Sequence, residues 1–231
     1  MTSRTERPEQ AVDRIQTLSV STATLRSIYF SCVAYSLLVR NVDHIGILGG
    51  MLTTMAKIGY ILGSAADDSI NQKLALVLEE QAPDRAELNY IDIHQLPIYN
   101  RNMDQDFPRP MTEFKDLVWS NDGLLVVTPE HNQSFPAVVK NALDIMTRPW
   151  GSSVEGLKMG ITGASPGRFG TINSQAQLRQ FLPPLGVKIM GSPLLAVHAT
   201  KDTFNTDGTA DATTTQRAKA YMEAFTQFVE Q

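Results

Sequence analysis

Three short segments carry residues able to hold a small anionic ligand. The first is Gly63-Ser64-Ala65-Ala66-Asp67-Asp68-Ser69-Ile70-Asn71, which joins an apolar run to the start of a helical pattern. A helix start presents unbonded N–H groups and the positive end of the helix dipole, and this suits a phosphate. Ser64, Ser69 and Asn71 add side-chain donors. The segment holds neither GxxxxGK(S/T) nor GxGxxG, so it is not a P-loop or a dinucleotide fingerprint. Its bland reading is an ordinary helix capped by Ser69.

The second segment is Thr128-Pro129-Glu130-His131-Asn132-Gln133-Ser134. Pro129 removes one donor and stiffens the turn. The remaining backbone N–H and C=O groups can read the polar edge of a flat heterocycle, and Ser134 can cap the helix that follows. The bland reading is a structural turn with a solvated Glu130 and His131. The third segment runs from Thr162 to Gly170 and contains Gly163, Gly167 and Gly170. Glycines permit close backbone approach to a ligand. The bland reading is a flexible loop.

Each segment follows an expected strand. Lys57–Leu62 (KIGYIL), Gly123–Thr128 (GLLVVT) and Leu157–Thr162 (LKMGIT) are short apolar runs, the pattern of strands covered on both faces. Glu87–Ile93 alternates as a strand does, and Val187–Met190 with Leu194–Val197 read as pieces of a last one. Helices are expected from a Ser69 cap through Leu78, and over Met111–Ser120, Phe135–Met146, Gln175–Leu182 and Thr213–Val229. The Pro-rich stretch Leu96–Pro110 reads as a long loop. Strands alternating with helices imply βαβ units and a parallel sheet. In such sheets ligands bind beyond the carboxyl ends of the strands, where all three segments lie. Together they describe an anion cradle beside a backbone-lined slot. A phosphate-bearing planar molecule fits that description, and FMN is one.

The chain has 231 residues with Lys+Arg 20 against Asp+Glu 24, a net charge of −4. A nucleic-acid or anionic-membrane binder is expected to carry a basic excess, so neither partner is expected. The single cysteine, Cys32, excludes a disulfide framework. The histidines His44, His94, His131 and His198 form no metal-binding pair in sequence, and no metal site is assigned. Ile28–Val39 is apolar but short of the ~20 residues a membrane span needs. It follows a polar, partly acidic leader and makes a poor signal peptide. A cytoplasmic location is expected.

The first two segments, with a third motif, resemble the NADPH-dependent FMN reductase family, a flavodoxin-like group that includes quinone, azo-dye and chromate reductases. Its GSxRxxSxNxxLA loop is matched by Gly63 to Ala75, and its PEYNxSxPxxLKNAxD motif by Pro129 to Asp144. Gln95-Leu96-Pro97-Ile98-Tyr99-Asn100 matches a DLPxYN-like piece. The likeness covers roughly residues 55–231. The family's first-loop arginine is Ala66 here, and its loop tyrosine is His131; Arg168 is a candidate replacement cation.

The resemblance implies a three-layer α/β/α sandwich, flavodoxin-like, with a five-stranded parallel sheet of order 2-1-3-4-5. It implies an FMN-containing oxidoreductase that passes hydride from NADPH or NADH to a small acceptor: a quinone, free flavin, azo dye or chromate. Carried over by position, Ser64, Ser69, Ile70 and Asn71 hold the phosphate and ribityl end. Pro129, Glu130, His131 and Asn132 line the ring, and Ser165 and Gly167 close the third side. No catalytic residue is named, because hydride transfer to a flavin requires no acid–base pair. Lys140 and Asp144 read as a helical i,i+4 ion pair. The alternative is a flavodoxin-like electron carrier or a non-enzymatic regulatory protein. A homodimer or tetramer is implied, with Phe135, Val138, Val139, Ile145 and the Leu96–Pro110 loop as the expected interface. Met55-Ala56-Lys57-Ile58 reads like a native start, so residues 1–54 are expected to be a disordered or poorly packed extension of the 55–231 domain.

Overall fold

The computed structural model describes residues 45–48, 51–149, 152 and 154–231. Two compact units divide the chain at Thr54/Met55. In the first, strands β1 (Ile45–Leu48) and β2 (Met51–Thr54) pair antiparallel, with Ile45 opposite Thr54 and Leu48 opposite Met51. The expectation of disorder over the rest of the extension lies outside the described residues.

The second unit, Met55–Gln231, is built on β3 (Ala56–Leu62), β4 (Ala86–Tyr90), β5 (Gly123–Val127), β6 (Lys158–Ser165), β7 (Lys188–Ile189) and β8 (Leu195–His198). All pair in parallel, in the order β4-β3-β5-β6-β7, with β8 also on β6. This is the expected 2-1-3-4-5 order, with the fifth strand in two pieces. β7 pairs Lys158 and Met159, and β8 pairs Thr162 to Ser165. Pro193, in the segment between them, has no N–H to give a ladder. Arg179 bridges part of the break, its Nη1 donating to the Met190 carbonyl at 2.8 Å.

Five α-helices among the described residues cover both faces: α1 (Ile70–Glu80), α2 (Arg109–Trp119), α3 (Ala137–Met146), α4 (Ile172–Phe181) and α5 (Ala212–Glu230). β5 is buried at every position, as a central parallel strand must be. Successive strand residues face opposite layers. Thus Tyr60, Leu62 and Leu125 pack with Leu74 and Leu78 of α1 and Tyr221 and Phe225 of α5. Ile61, Leu124 and Val126 pack with Phe114 of α2, Leu143 of α3 and Leu178 of α4. The helices keep the apolar spacing that marks them: Met111, Phe114 and Val118 on α2, and Ala218, Tyr221, Met222, Phe225 and Val229 on α5.

Several boundaries differ from expectation. α2 begins two residues early, at Arg109, because a proline is tolerated in a first helical turn, where its missing N–H would have no intrahelical partner. α4 begins at Ile172 rather than Gln175, and α3 at Ala137 with Pro136 as its cap residue. Ser134 is therefore not the cap of α3. Val139 and Ile145 are fully buried in the domain's own core, so α3 does not offer them to a partner. Lys140 and Asp144 form the expected i,i+4 pair at 2.6 Å.

Candidate functional site

The first two loops leave β3 and β5 at one level, and β6 runs three residues further, to Ser165, before the third loop begins. Leu62 is level with Val127 across β3 and β5, and Val127 with Thr162 across β5 and β6. Bonds continue past the strand ends, from Gly63 N–H to Val127 O (2.9 Å) and from Thr128 N–H to Thr162 O (2.9 Å). The loops also touch. A Cβ on Gly63 would lie 2.8 Å from Pro129 Cδ, and one on Gly163 1.9 Å from Thr128 O. Both positions therefore require glycine, and they draw the three loops together.

In the first loop, Ser64 to Asp68 is a run of backbone N–H groups that meet no acceptor among the described residues. At its end Ser69 caps α1, its Oγ accepting from Gln72 N–H at 3.3 Å. The N–H groups of Ile70 and Asn71 stand in the first turn of α1, where no intrahelical acceptor exists. Unpaired donors at a helix start are the chemistry that an FMN phosphate needs, so the cradle fits the group. The side chain of Asn71 is used elsewhere. It is buried, donates from Nδ2 to Ala164 O (2.9 Å) and accepts from Ala164 N–H at Oδ1 (2.8 Å), tying α1 to β6. Only its backbone remains for a ligand. Arg168 is exposed and lies over the Phe169 ring, 5.9 Å from its centroid.

The second loop is held by α4. Glu130 Oε2 accepts from the N–H groups of Asn173 (2.9 Å) and Ser174 (3.1 Å), and Oε1 accepts from Asn173 Nδ2 (3.1 Å). α4 has no side-chain cap from its own Thr171. The Glu130 carboxylate takes that place, at the end of the helix dipole that favours an anion. The Pro129 carbonyl accepts from Ser174 Oγ (3.0 Å) and Thr128 Oγ1 (2.9 Å), so it is not free for a ligand.

His131 and Ser134 exchange two backbone bonds of 2.9 Å around Asn132 and Gln133, whose φ values are 50° and 63°. Two successive left-handed residues make this a tight turn of the I′ kind. The N–H groups of Glu130, Asn132 and Gln133 meet no acceptor among the described residues. In the third loop Ser165 Oγ accepts from Gly167 N–H at 3.1 Å, closing that loop on itself.

The structure thus brings the segments of Ser64, Ser69, Ile70, Pro129, Glu130, His131, Asn132, Ser165 and Gly167 to one end of the sheet. It turns the side chains of Asn71, Glu130 and Ser165 to protein partners. Sequence reading missed Asn173, Ser174 and Gln177, which hold the second loop from more than 40 residues away. It also missed Asn141, which accepts from Tyr99 N–H (2.9 Å) and donates to Pro97 O (3.0 Å), anchoring the Leu96–Pro110 loop on α3. No local spacing announces such long-range bonds.

A cavity of about 420 Å³ lies on the other flank of the first loop, between Ser64, Asp67, Tyr90 at the end of β4, and Asp92 and Gln95 in the segment that follows it. Its lining includes no residue of the second or third loop. Burial and the neighbouring Glu79 carboxylate push the Tyr60 hydroxyl, on the cavity wall, up from its ordinary value. No helix among the described residues is long and apolar enough to cross a membrane.

Comparisons with known proteins agree with this fold. Residues 56–202 match the family described as NADPH-dependent FMN reductase. A 2-hydroxy-1,4-benzoquinone reductase of Burkholderia sp is 38% identical over 170 residues, 73% of this chain and 91% of the relative. A quinone reductase of Pseudomonas putida is 29% identical, covering 77% of this chain and 97% of its own. The solved structure of FerB, a flavoenzyme NAD(P)H:(acceptor) oxidoreductase from Paracoccus denitrificans, superposes with a TM-score of 0.72 at 32% identity. That match covers 76% of this chain and 98% of FerB.

Proposed function

This chain belongs to the NADPH-dependent FMN reductase family, and from that premise we propose that its acceptor is a small quinone. The enzyme is an NAD(P)H-dependent FMN reductase of the quinone reductase group, using FMN with NADPH or NADH as reductant. The observation that carries the site assignment is the unpaired run of N–H groups from Ser64 to Asp68 opposite a turn stiffened by two left-handed residues. When bound, FMN supplies the reversible two-electron chemistry that links reductant to acceptor.

The residues of the chain bind and orient. The N–H groups of Ser64 to Asp68, the Ser64 hydroxyl and the start of α1 hold phosphate. The loss of the family arginine at Ala66 leaves that cradle to neutral donors. The N–H groups of Glu130, Asn132 and Gln133 face the ring edge, and the His131 imidazole packs beside it. Ser165 and Gly167 close the third side; their mutual bond uses the Gly167 N–H and leaves the Ser165 O–H able to donate. Quinones are preferred among acceptors because relatives covering most of this chain are named for quinones. The reading also includes a homodimer, supported by the exposure of Ile98 (74%) and Phe169 (69%) on loops at the site end of the sheet.

The test is the purified full chain with excess FMN. Flavin absorbance that survives desalting, followed by quinone-dependent NAD(P)H oxidation exceeding that with azo dye or chromate, is the expected result. Retained flavin with no quinone-dependent turnover overturns the acceptor, and failure to retain flavin overturns the site.

A further inference from the structure

The second loop holds two non-glycine residues in the left-handed region, Asn132 at φ 50° and Gln133 at φ 63°. Left-handed backbone is costly for residues with a Cβ, and such outliers persist only where the surroundings over-determine them. Both residues are exposed, so core packing does not impose the conformation.

The paired backbone bonds of His131 and Ser134 close the turn, and α4 holds it from outside. Gln177, two turns into that helix, donates from Nε2 to the Gln133 carbonyl at 2.7 Å. Its Oε1 accepts from Ser134 Oγ at 2.7 Å. One side-chain amide thus grips the turn at both of its trailing residues, 44 and 43 positions away in sequence. Glu130 fixes the leading end on the first turn of the same helix through three bonds.

We propose that Gln177, with Glu130, is a positioning residue. It clamps the turn His131-Asn132-Gln133-Ser134 to α4, so that the N–H groups of Asn132 and Gln133 are already aimed when FMN arrives. This rests on the FMN reading of the site. The clamp removes an ordering cost that would otherwise fall on binding. It acts through the turn and needs no contact with the ligand.

The test uses the full chain in three forms: unaltered, Gln177→Ala, and Gln177→Ala with Gln133→Gly. Losing both amide bonds is expected to weaken FMN affinity about tenfold, with little change in the melting temperature of the apoprotein. The glycine variant creates Asn-Gly, the favoured pair for a I′ turn. It is expected to recover affinity to within about threefold, because glycine needs no clamp to stay left-handed. Amide exchange at His131 and Ser134, whose N–H groups close the turn, should speed up in the Gln177→Ala apoprotein and slow again in the double variant.

Unchanged affinity and unchanged exchange in Gln177→Ala overturn the proposal. So does a loss of affinity that glycine leaves unrepaired, since Gln177 would then be touching the ligand itself. Exchange in the apoprotein reads the clamp without flavin. If the unaltered chain binds no FMN, the functional reading fails while the exchange result still decides the clamp.

Discussion

Single residues separate backbone recognition from side-chain recognition here. Asn132 is the sharpest case, since its φ of 50° ties its identity to the turn as well as to a ligand. Asparagine tolerates the left-handed region better than most residues, and leucine does so poorly. Asn132→Leu is therefore expected to cost about 1 kcal/mol of stability and to yield a flavin-poor protein. Asn132→Gly keeps the turn and deletes the amide. If the backbone N–H groups hold the ring, the glycine variant should retain its FMN; absorbance of each purified variant beside its melting temperature checks this. A glycine variant as flavin-poor as the leucine one would transfer the role to the side chain. Asn71 makes the opposite point. Its motif position was legible, but its amide is spent on the two Ala164 bonds, and those partners depend on where β6 runs.

At the level of elements, helix ends do much of the positioning. α4 is capped from another loop by Glu130, whereas α5 is capped by its own Asp211. Asp211 Oδ1 accepts from Thr214 N–H at 2.9 Å and Oδ2 from Thr214 Oγ1 at 2.8 Å. Burial pushes the Asp211 carboxyl up, but the Thr214 N–H and hydroxyl and the Thr213 N–H outweigh it and hold the group below the usual carboxylate range. A carboxyl lowered in the folded state stabilises above its unfolded value, near 4, and loses that contribution as pH falls through the lower folded value. Asp211→Ala is expected to cost about 1 kcal/mol at pH 7. Denaturant melts of both proteins from pH 7 to 2 should show the difference constant at neutral pH and shrinking in acid. A difference independent of pH would mean that the charged cap is not its source. The element types themselves were legible, because apolar runs and helical spacing are local. Their ends were not: the start of α4 depends on a carboxylate supplied by another loop.

For the whole molecule, the open question is what covers the site end of the sheet. On loops at that end, Ile98 and Phe169 are large and exposed, at 74% and 69%. Large apolar side chains exposed on two loops of one end make that end a candidate interaction surface. Light scattering at micromolar concentration is expected to report a dimer for the full chain. Ile98→Asp should shift it toward monomer, since a charge buried in an apolar contact is costly. A monomeric full chain would remove the dimer from the reading. Val139 and Ile145, apolar and on the expected interface helix, belong instead to the domain's own core. Sequence cannot tell an apolar residue facing its own sheet from one facing a partner, because both obey the same periodicity.

The class of fold and the three segments that bear on chemistry can be read from the residues in order. Strand and helix periods, glycines and the Pro129–Asp144 motif are all local features. Only the tertiary structure decided which side chains those segments can offer. Asn71, Glu130 and Ser165 look like ligand contacts in the sequence, yet each is already engaged by protein partners. Gln177 carries no motif, and it grips the turn only because α4 lies beside the β5 loop. Hydrogen-bond partners are set by distances in space. For contacts 43 and 93 residues apart, those distances exist only after the sheet has assembled.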